Sequence, residues 1–161
     1  MRALTLAAVA ALILDQATKY AVVHAMRLAT RHQIDVFPPL LSFRYGENRG
    51  INFGLFEGET DTMRWVLIGF SLAVVAAVLV WVRRAHPNDT PVLIGAGLLI
   101  GGALGNVVDR LAYGHVLDFL NMSCCGIANP FVFNVADIFI FLGAAVLILF
   151  DSRAGKRKKG A

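Results

Sequence analysis

Apolar residues fall in four long blocks, at about 3–23, 65–82, 92–108 and 133–150, separated by stretches that carry most of the charge. Each block is close to the ~20 residues that a helix needs to cross a bilayer. Only helices and closed barrels satisfy their backbone in lipid, and the period-two alternation of barrel strands is missing. The pattern therefore predicts a membrane all-α bundle of four transmembrane helices. Two outer loops, about 24–64 and 109–132, and a tail, 151–161, complete a single domain. Within the first loop, "LLSFRY" and "INFGLF" read as short strands around a "GENRG" turn, so a small β-hairpin is expected there. Phe37, Phe43, Phe53 and Phe56 make that hairpin apolar enough to lie on a membrane surface.

Small residues add packing detail. Gly97, Gly101 and Gly105 recur every fourth position in the third block, a stripe that lets a neighbouring helix come close. Ala3, Ala7, Ala11, Asp15 and Lys19 repeat at the same interval in the first block. That face, small and then polar, is expected to point into the bundle. The start Met1-Arg2 resembles a signal peptide, but Asp15 and Lys19 interrupt the apolar core and no small-x-small site follows cleanly. A retained helix is expected.

Composition supports the membrane reading: 57% of the 161 residues are hydrophobic, only 16% are charged, and the mean hydropathy is +0.65. The net charge of +4 does not indicate nucleic acid, because five of the 15 Lys and Arg sit in the tail at Arg153, Lys156, Arg157, Lys158 and Lys159. Together with Arg2 and the Arg83-Arg84 pair, they predict an orientation with both termini cytoplasmic. Arg27, Arg31, Arg44, Arg49 and Arg64 in the first outer loop run against that bias. Cys124 and Cys125 are adjacent, which gives neither a zinc spacing nor a CxxC motif. They read as two small apolar side chains in a loop.

Four carboxylates in or near the blocks carry the candidate chemistry, because a charge at membrane depth is costly and functional by default. Asp15 has Lys19 one helical turn away, and Asp109 is followed by Arg110. A nearby cation favours the ionised form, so these two read as structural or substrate-orienting. Asp118 in "HVLDFLN" and Asp137 in "FNVADIF" have no Lys or Arg close in sequence. Both fall at the outer side of the bundle, joined by a short connection. Taken singly, Asp118 suits a turn and Asp137 a helix N-terminus. Two carboxylates together in a poorly solvated place cannot both ionise easily. One then polarises a carbonyl while the other takes a proton from water. Other chemistry is thin: the chain has no HExxH, no Ser in a GxSxG elbow and no convincing phosphate loop. His115, three residues before Asp118, is placed to modulate it.

The ordered set "DQATK" (15–19), "ENRGINFG" (47–54), "GGALGNVVDR" (101–110), "GHVLDF" (114–119) and "FNVAD" (133–137) resembles the motifs of the lipoprotein signal peptidase family, over nearly the whole chain. The resemblance implies a bacterial inner-membrane aspartyl endopeptidase that acts at the periplasmic side. It would cut the signal peptide from prolipoproteins just before a cysteine bearing diacylglycerol. It makes Asp118 and Asp137 the catalytic pair, with Asp15, Lys19, Asn48, Gly101, Asn106, Arg110 and Asn134 as supporting positions. It implies a small periplasmic sheet on the membrane, and its partners are lipidated precursors and membrane lipid. No metal or organic cofactor is required, and a monomer is expected. Two positions depart from the family pattern: Asn52 stands where a small residue is usual, and "NMSCCGIANP" lacks a common tryptophan. The competing reading of buried acids is a small proton-coupled transporter, which would call for inverted repeats or broken helices. A non-enzymatic assembly partner would use the glycine stripe but leave the paired acids without a role.

Overall fold

The computed structural model describes residues 1–50, 60–124 and 129–158, with Thr60 and 151–158 as backbone only. Helix α1 (Arg2–Lys19) runs on as a π-helical segment (Tyr20–Ala25), and a short α2 (Leu28–Arg31) follows. Strands β1 (Gln33–Phe37) and β2 (Leu41–Asn48) form a hairpin. Then come α3 (Thr60–Ala85), α4 (Thr90–Tyr113), β3 (Val116–Met122) and α5 (Val135–Lys158). Among the described residues, Arg2–Ala25, Asp61–Ala85 and Thr90–Tyr113 are long and apolar enough to cross a membrane. Val135–Phe150 is a shorter apolar helix.

Helix α4 is the axle of the bundle. It begins at Asp89, whose side chain accepts from the Val92 N–H, with a proline in its first turn, and it ends at Gly114 with φ +84°. These are the start and stop signals expected of a helix. Two thirds of its span is buried, against 28% for α1 and 11% for α3. The glycine stripe explains why. A Cβ at Gly101 would run into the Ala8 carbonyl and lie 2.8 Å from the Ala11 Cβ; one at Gly105 would meet Asp15 Oδ2 at 2.5 Å. Gly102 faces α5 in the same way, 2.5 Å from the Ala136 carbonyl. The small faces read from the sequence therefore do meet, and α4 packs on α1 along one side and α5 along the other. Gly101→Leu should force α1 and α4 apart and cost about 3 kcal/mol, read as a lower thermal midpoint in detergent. Gly69→Leu is the control, because nothing lies within 4 Å of a Cβ placed there.

The sheet order is β1-β2-β3, antiparallel throughout. "LLSFRY" is mostly strand as expected, but β2 runs on through Gly46, Glu47 and Asn48, where a turn is expected, and its partners are β1 and β3. "INFGLF" lies outside the described residues, as does Asn52. The 109–132 loop also needs correction: its first residues complete α4, and 116–122 is the third strand. One face of the sheet buries Leu117 and Phe119 with Val22, Val23 and Leu28 of the preceding segments. Phe43 and Phe119 meet edge to face, 5.9 Å between ring centres. Between Phe43 and Gly46 the register shifts, a bulge of the kind that re-aims side chains. Cys124 is disulfide-bonded, which corrects the expectation of plain apolar side chains. Cys125 lies outside the described residues.

Candidate active site

All the candidate polar residues gather where the sheet meets the ends of α1, α4 and α5. At the base is a buried ion cluster. Lys19 Nζ lies 2.8 Å from Asp15 Oδ2 and 2.7 Å from Asp109 Oδ2. It donates a third bond to Asn106 Oδ1 at 3.2 Å. All three ammonium donors are thereby used. Asp15 and Asp109 are fully buried and Lys19 nearly so. Each acid also accepts from a neighbouring backbone: Asp15 Oδ1 from the Ala136 N–H at 2.8 Å, Asp109 Oδ2 from the Leu117 N–H at 3.0 Å. One cluster thus joins α1, α4, β3 and α5. The Asp15–Lys19 pair is as the spacing predicts. Asp109, however, takes its cation from Lys19. Arg110 instead donates to the Asn106 carbonyl of its own helix at 3.3 Å.

Above the cluster sit Asp118 and Asp137, neither of which forms an ion pair among the described residues. Asp118 lies on β3 opposite Gly46 of β2 and is only 4% exposed. Its Oδ1 accepts from Asn134 Nδ2 at 2.6 Å and its Oδ2 from Asn48 Nδ2 at 3.1 Å. Asp137 is half-buried in the first turn of α5. Its Oδ1 accepts from Asn106 Nδ2 at 3.1 Å and its Oδ2 from the Asn134 N–H at 3.2 Å. In return the Asp137 N–H donates to Asn134 Oδ1 at 3.0 Å. This is a reciprocal capping box, so the helix-terminus role considered for Asp137 is real and coexists with its place beside Asp118. Asn134 therefore touches both aspartates. The chain brings it there because Phe133 exchanges backbone bonds with Leu120 of β3.

Burial, and then the nearby charge of Asp137, push the Asp118 carboxyl up to about 6. The bonds from Asn134 and Asn48 and the charge of Lys19 oppose that rise. The Arg110 guanidinium lies in the field of Asp109, Asp118 and Asp137 and spends one N–H on Asn106. Gly101 contributes close packing of α1 on α4 rather than a polar contact. His115 faces Glu47 at 3.9 Å. Sequence reasoning gave no role to Gln16, whose Nε2 donates to Asp109 Oδ1 at 2.9 Å and Asp15 Oδ2 at 3.1 Å. No group of three or more His, Cys, Asp or Glu among the described residues could hold a metal ion.

Comparisons with known proteins show the family and the fold. Residues 7–152 match the family model described as signal peptidase (SPase) II. A lipoprotein signal peptidase of Rhodopseudomonas palustris is 39% identical, over 93% of this chain and 91% of the relative. One from Methylobacterium radiotolerans is 41% identical, over 99% and 91%. A bacterial membrane enzyme solved by the in meso method superposes with a TM-score of 0.77 at 26% identity, covering 95% of this chain and 89% of the other.

Proposed function

Since this chain belongs to the signal peptidase II family, it is a bacterial inner-membrane peptidase that cleaves lipoprotein signal peptides, and we propose that Asp118 and Asp137 are its catalytic dyad. The observation that carries the proposal is the Asn134 bridge, which holds the Asp118 and Asp137 carboxyls together at the end of the bundle. The transporter alternative has no support in this family membership.

The chemistry follows from the difference between the two acids. Asp118 is nearly fully buried, and burial favours its protonated form. Asp137, half-buried and supplied with two donors, is an acceptor poised for water. Asp137 takes a proton from that water as its oxygen attacks the scissile carbonyl carbon. Asp118 gives its proton to the carbonyl oxygen. The tetrahedral intermediate then collapses: the C–N bond breaks, the leaving nitrogen takes the proton from Asp137, and the oxygen returns its proton to Asp118. Arg110, which spends one N–H on Asn106 among the described residues, is the donor for the peptide carbonyls that leave the helical pattern near the cut.

The membrane arrangement is part of the same reading. α5 serves as the fourth span, and both termini and the Arg83-Arg84 turn lie in the cytoplasm. The sheet and dyad then face the periplasm, at the depth where a lipidated cysteine leaves the bilayer. The substrate is a diacylglyceryl-modified prolipoprotein, cut before the modified cysteine by a monomer.

The test is cleavage of a purified, diacylglyceryl-modified precursor in detergent, with the unlipidated precursor as control. Cleavage of the lipidated form alone is expected; no cleavage of either overturns the reading. The pH dependence adds a second check. The reacting form needs the Asp118 proton, which the free enzyme loses above pH about 6. The kcat/KM profile should therefore fall above that pH, since it reports the free enzyme. Bound substrate excludes water and disfavours the charged form further, so the kcat limb should lie at higher pH. A kcat/KM profile flat from pH 5 to pH 9 would count against Asp118 as the acid.

A further inference from the structure

Each amide that touches the dyad has its orientation set by a partner with no choice of role. Asn134 Oδ1 accepts from the Asp137 N–H, which turns its Nδ2 to Asp118. Asn106 Oδ1 accepts from the Lys19 ammonium, which turns its Nδ2 to Asp137. Both residues are buried, so packing helps to hold them. Asn48 is different, because it is an exposed residue at the end of β2. A free amide there could present either its oxygen or its nitrogen to Asp118. Its Oδ1 accepts from the Gly50 N–H at 3.1 Å, and a backbone N–H can only donate. The opposite end of the amide, Nδ2, is then the end that reaches Asp118 Oδ2.

We propose that Gly50 is a positioning residue for the reaction: its N–H fixes the Asn48 amide so that Asn48 donates to Asp118. The proposal rests on the dyad reading and adds to it a residue that touches neither aspartate. The backbone at Gly50 has φ +101°, which L side chains rarely adopt. A Cβ there would also lie 2.6 Å from Leu67 Cδ1. Glycine is thus needed for the turn that aims the N–H back at Asn48. Neighbouring charges do not do the same work. Arg49 is held by Glu47 at 2.7 Å, and Glu47 also faces His115 and Tyr45. These groups engage one another at the rim, and among the described residues Asn48 Oδ1 takes its hydrogen bond from Gly50.

The consequence is a shift in the pH profile. The Asn48 bond favours the ionised form of Asp118. When it is lost, Asp118 holds its proton to higher pH. Losing one such hydrogen bond should move the upper limb of kcat/KM alkaline by roughly half to one pH unit.

The experiment measures kcat/KM against pH for wild type, Asn48→Ala, Gly50→Ala and the double variant, on the lipidated precursor. Both single variants should shift the limb alkaline by similar amounts. Gly50→Ala should add no further shift in the Asn48→Ala background, the non-additivity of residues that act through one another. A merely structural role for Gly50 would lower the thermal midpoint in both backgrounds and leave the limb in place, and that result overturns the proposal. If Gly50→Ala does not fold, Asn48→Ala still decides: an acid shift or none means that the amide does not donate to Asp118, and the proposal fails. A wild type that never cuts the lipidated precursor is a different failure, that of the peptidase reading itself.

Discussion

Asp118→Asn should abolish cleavage without loss of the fold, and should raise thermal stability near neutral pH. Activity is expected to fall about 10⁴-fold, the upper end of what one positioned acid or base contributes. The amide cannot give up a proton to the substrate oxygen. It can, however, keep the structural contact that matters most, since its oxygen still accepts from Asn134 Nδ2, 2.6 Å away in the wild type. The opposite contact becomes donor against donor, so the Asn48 side chain must give up its Gly50 bond to turn toward water, which offsets part of the stability gain.

The stability gain follows from the direction of the shift. Asp118 titrates at about 6 in the folded protein, against 3.8 for the unperturbed group. Between those values the folded state binds the proton more tightly than the unfolded state. Wild-type stability from this group therefore declines as pH rises through the window. The ionised carboxylate then costs on the order of 3 kcal/mol at neutral pH. Asparagine carries no charge and escapes that cost. Thermal midpoints of the two proteins should coincide near pH 4 and separate by pH 7, with the variant higher. Asp137→Asn should be equally inactive but not stabilised. Its two oxygens accept from Asn106 and from the Asn134 N–H, and one amide oxygen cannot serve both. If both variants still cut, the dyad is wrong.

Much of this site could be read from the sequence because charges are conspicuous in an apolar chain. Asp15, Lys19, Asp118 and Asp137 stand out against their neighbours, and the Asp15–Lys19 pair is local, one helical turn apart. Asn134 is legible as a polar neighbour of Asp137, but Asn48 and Asn106 enter through the resemblance alone, since a neutral amide in a loop or helix carries no such contrast. Asp109 shows where local reasoning fails. Its neighbour Arg110 is adjacent in sequence, but adjacent side chains on a helix diverge. Its true partner lies on α1, a contact that only the Gly105 approach makes possible. Gln16 escaped notice for the same reason. β3 is not legible in the sequence because "VLDFLNM" is buried on both faces around Asp118 and lacks alternation, nor is β1, because "QIDVF" is mostly exposed. The sheet depends on β2 meeting β3 across some seventy residues, as in the 70-residue separation of Asn48 and Asp118.

Lys19→Met should be the most destabilising single change in the polar site, and worse than loss of either acid it binds. The side chain is 2% exposed and holds two carboxylates that are fully buried. Removing one partner of a buried ion pair costs about 3–5 kcal/mol, because the other charge is left uncompensated. Here two would be left. Methionine matches the length of the lysine stem, so packing is conserved and the loss is electrostatic. Asp109→Asn is the informative contrast. The cluster holds two acids and one cation, so neutralising one acid leaves a balanced Asp15–Lys19 pair at 2.8 Å. The amide oxygen can still accept from the Leu117 N–H. Its thermal midpoint should fall far less than that of Lys19→Met. Activity should follow the same order, because Lys19 also sets the Asn106 amide that donates to Asp137. Thermal unfolding in detergent measures the first effect and cleavage of the lipidated precursor the second. If Asp109→Asn proves as damaging as Lys19→Met, charge balance is not what the cluster supplies.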